Sequence, residues 1–286
     1  MPAWPRNVTI GSFPADVDDA GDFRVTNALT GWDDGAPVEL ALENKSQQDG
    51  AWDAPGIVRP RVVGVTGEVI QTSHVAAQQV RSALVALSSH SLHELVVESS
   101  GMAMSLSAEV RISRAAVVEW LGPNRFRYTL ELTAPDPRKY GPLEFSTATL
   151  SSSSGGAGLT YPLTYPLDYG LAPGATPGTV QVSNAGTSSY FPRLRIDGPV
   201  TNPRVTLAET GDQLVYAGTV AAGQWLDVDC ARRRVLLNGS VSMRHKVSFV
   251  GAWLAVPVGG ASIVWTADTA DPASVLSVWS YESAWS

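Results

Sequence analysis

The chain has 286 residues with 44% apolar side chains, 26 Gly, 19 Pro, nine Trp and only 16% charged residues. That length favours two domains, each able to bury a core, and the Gly, Pro, Val, Thr and Ser content favours strands and turns over helix. Net charge is −7: residues 1–145 carry 12 basic and 18 acidic side chains, and residues 146–286 carry 8 and 9. Residues 1–53 alone hold 10 acidic against 3 basic side chains, a surface that repels nucleic acid. The single Cys230 excludes an internal disulfide and a thiolate metal cage. Met1 to Ile10 lacks a basic-then-apolar signal pattern, and Val247 to Ala267 is broken by Pro257, Gly259 and Gly260, so it reads as sandwich strands and not a membrane span.

In chain order, the first half predicts strands at Arg24 to Leu29 and Val38 to Leu42, with the turn Gly31-Trp32-Asp33-Asp34-Gly35 between them. A polar loop, Glu43 to Gly56, leads into Ile57 to Ile70, whose β-branched residues suit a strand pair. Val80, Leu84 and Leu87, with Ala76 and Ala83 on the same stripe and Ser73 as a cap, predict one amphipathic helix. Strands resume at Leu95 to Glu98. Glu109 to Trp120 should pair with Arg125 to Leu132 across Leu121-Gly122-Pro123-Asn124, where Phe126, Tyr128, Leu130 and Leu132 alternate with polar residues.

From Ser146 to Thr179 the composition turns to Ser, Gly, Thr, Pro and Tyr, with the tandem Tyr161-Pro162-Leu163-Thr164 and Tyr165-Pro166-Leu167-Asp168. The expected organisation is therefore a β-rich domain over 1–145, a connector over 146–178, and a sandwich over 179–286. In the last part, short strands recur at sandwich spacing: Thr179 to Asn184, Phe191 to Asp197, Arg204 to Glu209, Leu214 to Thr219, Gln224 to Asp229, Arg234 to Leu237, and three more. Asp227 to Asp229 and Val235 to Leu237 read as a hairpin, and Asn238-Gly239 as a turn.

Candidates for chemistry are few. His90, His93 and Glu94 have metal-like spacing but follow a helix end, where surface histidines are the plainer reading. Asp16, Asp18 and Gly21 fit positions one, three and six of a calcium loop, yet Ala20 and Asn27 stand where ligands belong. There is no Gly-x-Ser-x-Gly elbow, and Cys230 has no histidine nearby in sequence. Asp227 and Asp229 point the same way on one strand, too close together for an acid and nucleophile pair. Arg232-Arg233-Arg234 reads as a solvated hairpin tip. No catalytic, cofactor-binding or metal residues are assigned, and no cofactor is expected.

Three features in order carry a resemblance: Arg125 to Gly141, the Tyr-Pro-Leu repeat, and the run from Phe191 through Val200-Thr201-Asn202-Pro203 and Ala222 to Asp229 to Arg234-Val235-Leu236-Leu237-Asn238-Gly239. Together these resemble the distal tail proteins of long-tailed, non-contractile (siphovirus-type) bacteriophages, those of actinobacteria in particular. The resemblance implies a mainly β chain: an N-terminal belt domain with one helix that closes a homo-hexameric ring, and a C-terminal galectin-like jelly-roll β-sandwich. It further implies a non-enzymatic virion structural protein of the tail tip, made in the host cytoplasm, that joins the tail tube protein to the tail hub. A receptor-binding protein or a host surface glycan is a further possible partner; specific nucleic-acid binding and membrane insertion are not expected. Galectins grip galactose with His-x-Asn-Pro-Arg and Trp-Gly-x-Glu. Here Val200 replaces the histidine before Asn202-Pro203-Arg204, and Trp225 is followed by Leu226 and Asp227, so packing is the expected role of those residues. A carbohydrate-binding sandwich protein is the alternative reading, and a polysaccharide hydrolase the third. In a hexameric ring, the acidic cluster of Asp16, Asp18, Asp19, Asp22, Asp33, Asp34, Glu39 and Glu43 is expected to contribute to a DNA-repelling lumen.

Overall fold

The computed structural model describes residues 6–53, 55–87, 91–99, 104–152, 175–269, 271 and 273–286. The chain divides into two compact units, Met1–Pro142 with Trp285–Ser286, and Leu143–Ala284.

The first unit begins with β1 (Arg6–Ile10), β2 (Phe13–Pro14), β3 (Val17–Asp19) and β4 (Asp22–Thr30). A thin ribbon follows, made of β5 (Val38–Glu39), β6 (Glu43–Asn44), β7 (Ala51–Trp52) and β8 (Ile57–Val58). Then come β9 (Arg61–Gln71), α1 (His74–Ala86), β10 (His93–Ser99), β11 (Ser105–Gly122), β12 (Arg125–Ala134) and β13 (Lys139–Tyr140). The main sheet runs in the order β2-β1-β10-β11-β12-β9-β4-β3. The 18-residue β11 joins its two halves: residues before Arg111 pair with β10, residues from Arg111 on pair with β12, and the register slips at Ile112/Arg114 and Arg114/Val117. These irregularities let the sheet bend over itself, so Val8, Ile10, Leu95 and Val97 share one core with Val63, Val65, Phe126 and Tyr128. Phe13 meets Tyr128 edge-on across that core, ring centroids 5.9 Å apart.

Burial follows the period-2 pattern closely on β12, where Phe126, Tyr128, Leu130 and Leu132 are at most 1% exposed. Each such side chain contributes about 1.5–3 kcal/mol of hydrophobic stabilisation. Ser73 caps the helix as expected, its Oγ accepting from the Ala76 N–H at 3.2 Å. The buried stripe is Ala77, Val80 and Leu84; Ala83 is exposed, so the stripe lies one position from the expected alanines.

The segment Ile57 to Ile70 does not fold back as a strand pair. Val58 pairs with Val38, and Arg61–Gln71 is one continuous strand held between β4 and β12. Gly64 and Gly67 are not turn residues: a Cβ on Gly67 would lie 2.4 Å from the Tyr128 hydroxyl, and one on Gly64 would lie 2.6 Å from Thr30 Oγ1. Glycine here makes room for a neighbouring side chain.

The second unit contains β14 (Leu143–Thr149), β15 (Ser151–Ser152), β16 (Ala175–Thr176), β17 (Gly178–Val182), β18 (Arg193–Asp197), β19 (Val200–Thr201), β20 (Arg204–Leu207) and β21 (Gln213–Tyr216). After these come β22 (Thr219–Val220), β23 (Trp225–Asp229), β24 (Arg234–Leu237), β25 (Val241–Ser242), β26 (Val247–Val250), β27 (Ala261–Thr266) and β28 (Val275–Tyr281). The last strand is β29 (Ala284–Trp285), whose Trp285 belongs to the first unit. Two antiparallel sheets result, β14-β28-β18-β23-β24-β25 and β17-β27-β20-β21-β26, with inward residues such as Ile196, Val228, Leu276, Val205, Ile263 and Trp265 at 0% exposure. Buried Asn184 pins the loops at one end: its Nδ2 donates to the Ser188 and Pro257 carbonyls, and its Oδ1 accepts from the Gly186 and Ala284 N–H groups.

Residues 143–149 were expected to close the first domain and open the connector, but they form β14 of the second unit's sheet, in register with Tyr281 back to Val275. The Tyr-Pro-Leu tandem, Tyr161 to Asp168, lies outside the described residues. At Asn238-Gly239 both residues have positive φ, 51° and 69°, and the connection between β24 and β25 runs to Ser240. No helix among the described residues is long and apolar enough to cross a membrane.

Candidate functional site

The acidic residues of the first unit do not gather into one site. The Asp16 carboxylate accepts from the Val8 N–H at 2.8 Å, the Thr26 N–H at 2.5 Å and the Thr26 hydroxyl at 2.9 Å, which ties β1 to β4. Asp22 accepts from Arg24 Nε at 2.8 Å and from Gln71, and Glu39 pairs with Arg59. Asp18, Asp19 and Glu43 are exposed. Asp16 therefore works as a structural acceptor and not as the first ligand of a calcium loop. Among the described residues, no group of three His, Cys, Asp or Glu side chains could hold a metal ion. His90 lies outside the described residues, and His93 begins β10, its ring 3.3 Å from the Ser91 hydroxyl.

Asp22 gives the fold a measurable acid response. Partial burial raises its pKa, but the hydrogen bonds from Arg24 and Gln71 and the Arg24 charge outweigh that, so the carboxyl titrates below the ordinary carboxylate range. A depressed acid stabilises the fold above its unfolded pKa, and that contribution disappears as pH falls through the folded value. Asp22→Asn is therefore expected to lower the thermal midpoint at pH 6 and to lower it progressively less towards pH 3. A deficit that stays constant with pH would rule this linkage out.

The ribbon from Asp33 to Pro60 is two strands wide, β5 with β8 and β6 with β7, and such a hairpin is marginal alone in water. It nevertheless exposes Val38, Leu40, Leu42, Trp52, Ile57 and Val58, each between 48% and 63% accessible. Its base is held by two buried cations. Arg61, 1% exposed, donates from Nε to the Pro137 carbonyl at 2.9 Å and from Nη1 to the Gly31 and Asp34 carbonyls at 2.8 and 2.6 Å. Lys139, 8% exposed, donates to the Trp32 carbonyl at 3.0 Å, with its Nζ 5.7 Å from the Trp32 ring centre. Burial depresses the pKa of both, and for Lys139 the Arg61 charge adds to that. The only local sign of this clamp in the sequence is that Arg61 is in phase with the buried Val63, Val65 and Val69.

In the second unit, the galectin-like motif forms a corner. Asn202 sits at φ 50° and donates from Nδ2 to Asp268 at 2.7 Å, while its Oδ1 accepts from the Gly218 N–H. Arg204 meets the other Asp268 oxygen at 2.7 Å. Those hydrogen bonds hold the Asp268 carboxyl below the ordinary range. Asn202 and Arg204 thus bind a side chain of the same unit, in keeping with packing. Cys230 is fully buried and its thiol pKa is pushed up, which disfavours the thiolate. Arg233 is exposed at the tip between β23 and β24, with φ 54°.

Asp227 and Asp229 do lie on one outward face, in a setting that strand alternation alone could not show. The Trp225 indole Nε1–H donates to Asp227 at 3.0 Å, the Arg195 guanidinium lies 4.4 Å from the Trp225 ring centre, and Arg193 lies 5.7 Å from that of Trp279. Of the eight tryptophans among the described residues, only Trp32 and Trp265 are buried.

Residues 185–285 match the family model described as siphovirus-type tail component, C-terminal domain. No curated protein sequence matches the chain. Among solved structures, the chain is similar to the Dit (gp 19.1) protein of phage SPP1, described as a paradigm of hub adsorption apparatus in Gram-positive infecting phages. The TM-score is 0.60 at 13% identity, covering 97% of this chain and 99% of that one. A chain of the phage P2 baseplate in its activated conformation with Ca gives TM-score 0.53 at 10% identity, covering 98% and 99%, and one from the Sr form gives 0.52 at 11%, covering 96% and 98%. The domain match over 185–285, joined to a likeness in fold that runs the length of the chain, supports the resemblance to siphovirus-type distal tail proteins read from the sequence.

Proposed function

We propose that this chain is a non-enzymatic structural protein of a phage tail tip, six copies closing a ring that joins the tail tube to the hub and the host-recognition apparatus. In this reading the first unit forms the ring and the second unit forms the outer domain. The observation that carries it is the ribbon of the first unit, two strands wide, which exposes six large apolar side chains although its base is clamped in place. A soluble chain rarely leaves such a surface bare, and a neighbouring copy would cover it. Of the acidic cluster, the exposed Asp18, Asp19, Asp33, Asp34 and Glu43 remain the candidates for a lumen lining, because Asp16 and Asp22 are engaged within the unit and Glu39 pairs with Arg59.

The test is the mass of the purified full-length chain in solution. Six copies of 30.3 kDa should run as a species of about 182 kDa. Replacing Leu40, Trp52 and Ile57 together by Asp should give monomers that keep their circular dichroism. A wild-type chain that stays monomeric at high concentration and is absent from virions would overturn the proposal.

A further inference from the structure

We propose that the strand end formed by the β23–β24 tip and the short helical turn after β25 is a binding site for a flexible phosphate polyanion, held by Arg232, Arg233, Arg234, Arg244 and Lys246. These are five of the eight basic side chains in residues 146–286, and all five are exposed. The ladder gathers them. Arg234 follows the tip and lies opposite Asp229 on β23. On its other side Leu236 faces Ser242, and the Met243 N–H donates to the Val235 carbonyl at 2.9 Å. The next pair along is therefore Arg234 with Arg244, the first residue of the turn Arg244–Lys246. The sequence shows only the run Arg232 to Arg234; pairing of the strands adds Arg244 and Lys246 to it.

Asp229 is the carboxylate that the ladder sets among these cations, and the tip itself uses it. It accepts from the Arg232 N–H at 2.8 Å and from the Arg232 guanidinium at 3.3 Å. Arg233, Arg234 and Lys246 have no acidic side-chain partner among the described residues. Arg244 is fixed by aromatic rings instead. Its guanidinium lies 4.7 Å from the Phe249 ring centre and 5.1 Å from that of Trp253, and Nη1 donates to the Val247 carbonyl at 3.2 Å. Stacking holds the guanidinium plane while its other N–H groups stay available at the edge.

Like charges directly opposite on neighbouring strands oppose folding, and Arg234 with Arg244 is such a pair. A bound anion removes that repulsion. Four of the five cations are guanidinium groups, whose planar forks meet phosphate oxygens two at a time. Screening confines the attraction to about 8 Å at physiological salt, so the site acts locally although the whole chain carries −7. A flexible chain of phosphates can wrap round one strand end. Duplex DNA, stiff over about 150 base pairs, meets the same end with only a few phosphates.

The experiment is calorimetric titration of the full-length chain with sodium polyphosphate, oligothymidylate, a DNA duplex of the same length and poly-glutamate. Five phosphate contacts predict that affinity for oligothymidylate falls roughly a hundredfold between about 50 mM and about 200 mM NaCl. With Arg234→Ala and Lys246→Ala combined, three contacts remain and the fall should shrink to about twentyfold. At the lower salt this double variant should bind the phosphate chains about tenfold or more weakly. Without ligand it should unfold no earlier than the wild type, because one like-charge pair is gone. If the double variant does not fold, Lys246→Ala alone decides. Binding of polyphosphate without oligothymidylate assigns a bare phosphate chain, and binding of both assigns phosphodiester polymers as well; either supports the site. Absence of binding to both at the lower salt overturns the proposal, as does an affinity unchanged in the variants. Poly-glutamate or the duplex bound as tightly as the phosphate chains overturns it too, since general charge attraction would then account for the contact. The titration is read per chain in any oligomeric state, so its outcome is independent of the ring.

Discussion

Replacing Trp265 by alanine is expected to cost the second unit about 3–5 kcal/mol, the usual price of truncating a fully buried tryptophan. Trp265 is 0% exposed and sits on β27, which pairs with β17 on one side and β20 on the other, so the cavity would open in the middle of a sheet. Its indole fills the place where a side chain at residue 178 would go: a Cβ on Gly178 would lie 2.1 Å from Trp265 Nε1. Gly178→Ala should therefore destabilise as well, by overpacking. Urea unfolding followed by near-ultraviolet circular dichroism would measure both, with a fall in thermal midpoint on the order of 10 °C for Trp265→Ala. A loss below about 1 kcal/mol would show that the site collapses around the missing ring and would refute the central role given to it.

Arg61→Ala should have the second large effect, and it should be localised. Removal of the guanidinium orphans the carbonyls of Gly31, Asp34 and Pro137, each costing about 1–3 kcal/mol if it stays buried. The expected loss is about 3 kcal/mol or more, with faster proteolysis between Asp33 and Pro60 than in the rest of the first unit. Arg61→Lys should recover only part of it, since one ammonium on a flexible stem cannot reach three separated carbonyls as the planar guanidinium does. Gly31→Ala is a second probe of the same base: Gly31 has φ 75°, and a Cβ there would lie 2.1 Å from the Val62 carbonyl oxygen. If protease sensitivity rises equally throughout the chain in Arg61→Ala, the clamp is not specific to the ribbon.

These two sites differ in how far they could be read in advance. Periodicity exposed β12, the β11–β12 pairing, the Ser73 cap and the hairpin of β23 with β24, because each is a local pattern of period 2 or 3.6 with its turn or cap close by. Arg61 was legible only as a cation in phase with Val63 and Val65. Which carbonyls would satisfy it depends on Gly31, Asp34 and Pro137 being brought together from distant parts of the chain. Nothing local to Gly64 and Gly67 announces that Thr30 and Tyr128 approach them.

The sequence by itself determined the mainly β class, the single helix, the absence of a disulfide framework and the alternation that sets which side of each strand is apolar. These depend on composition and near neighbours. Tertiary structure alone decided that residues 143–149 join β28, more than 120 positions away, and so place Phe145 beside Trp279. It also decided that Trp225 and Trp279 look outward among arginines while Trp265 looks inward. The physical reason is that a strand's period tells its two faces apart but not which neighbours will flank it. Register between distant strands is settled only when whole sheets bury their apolar faces together.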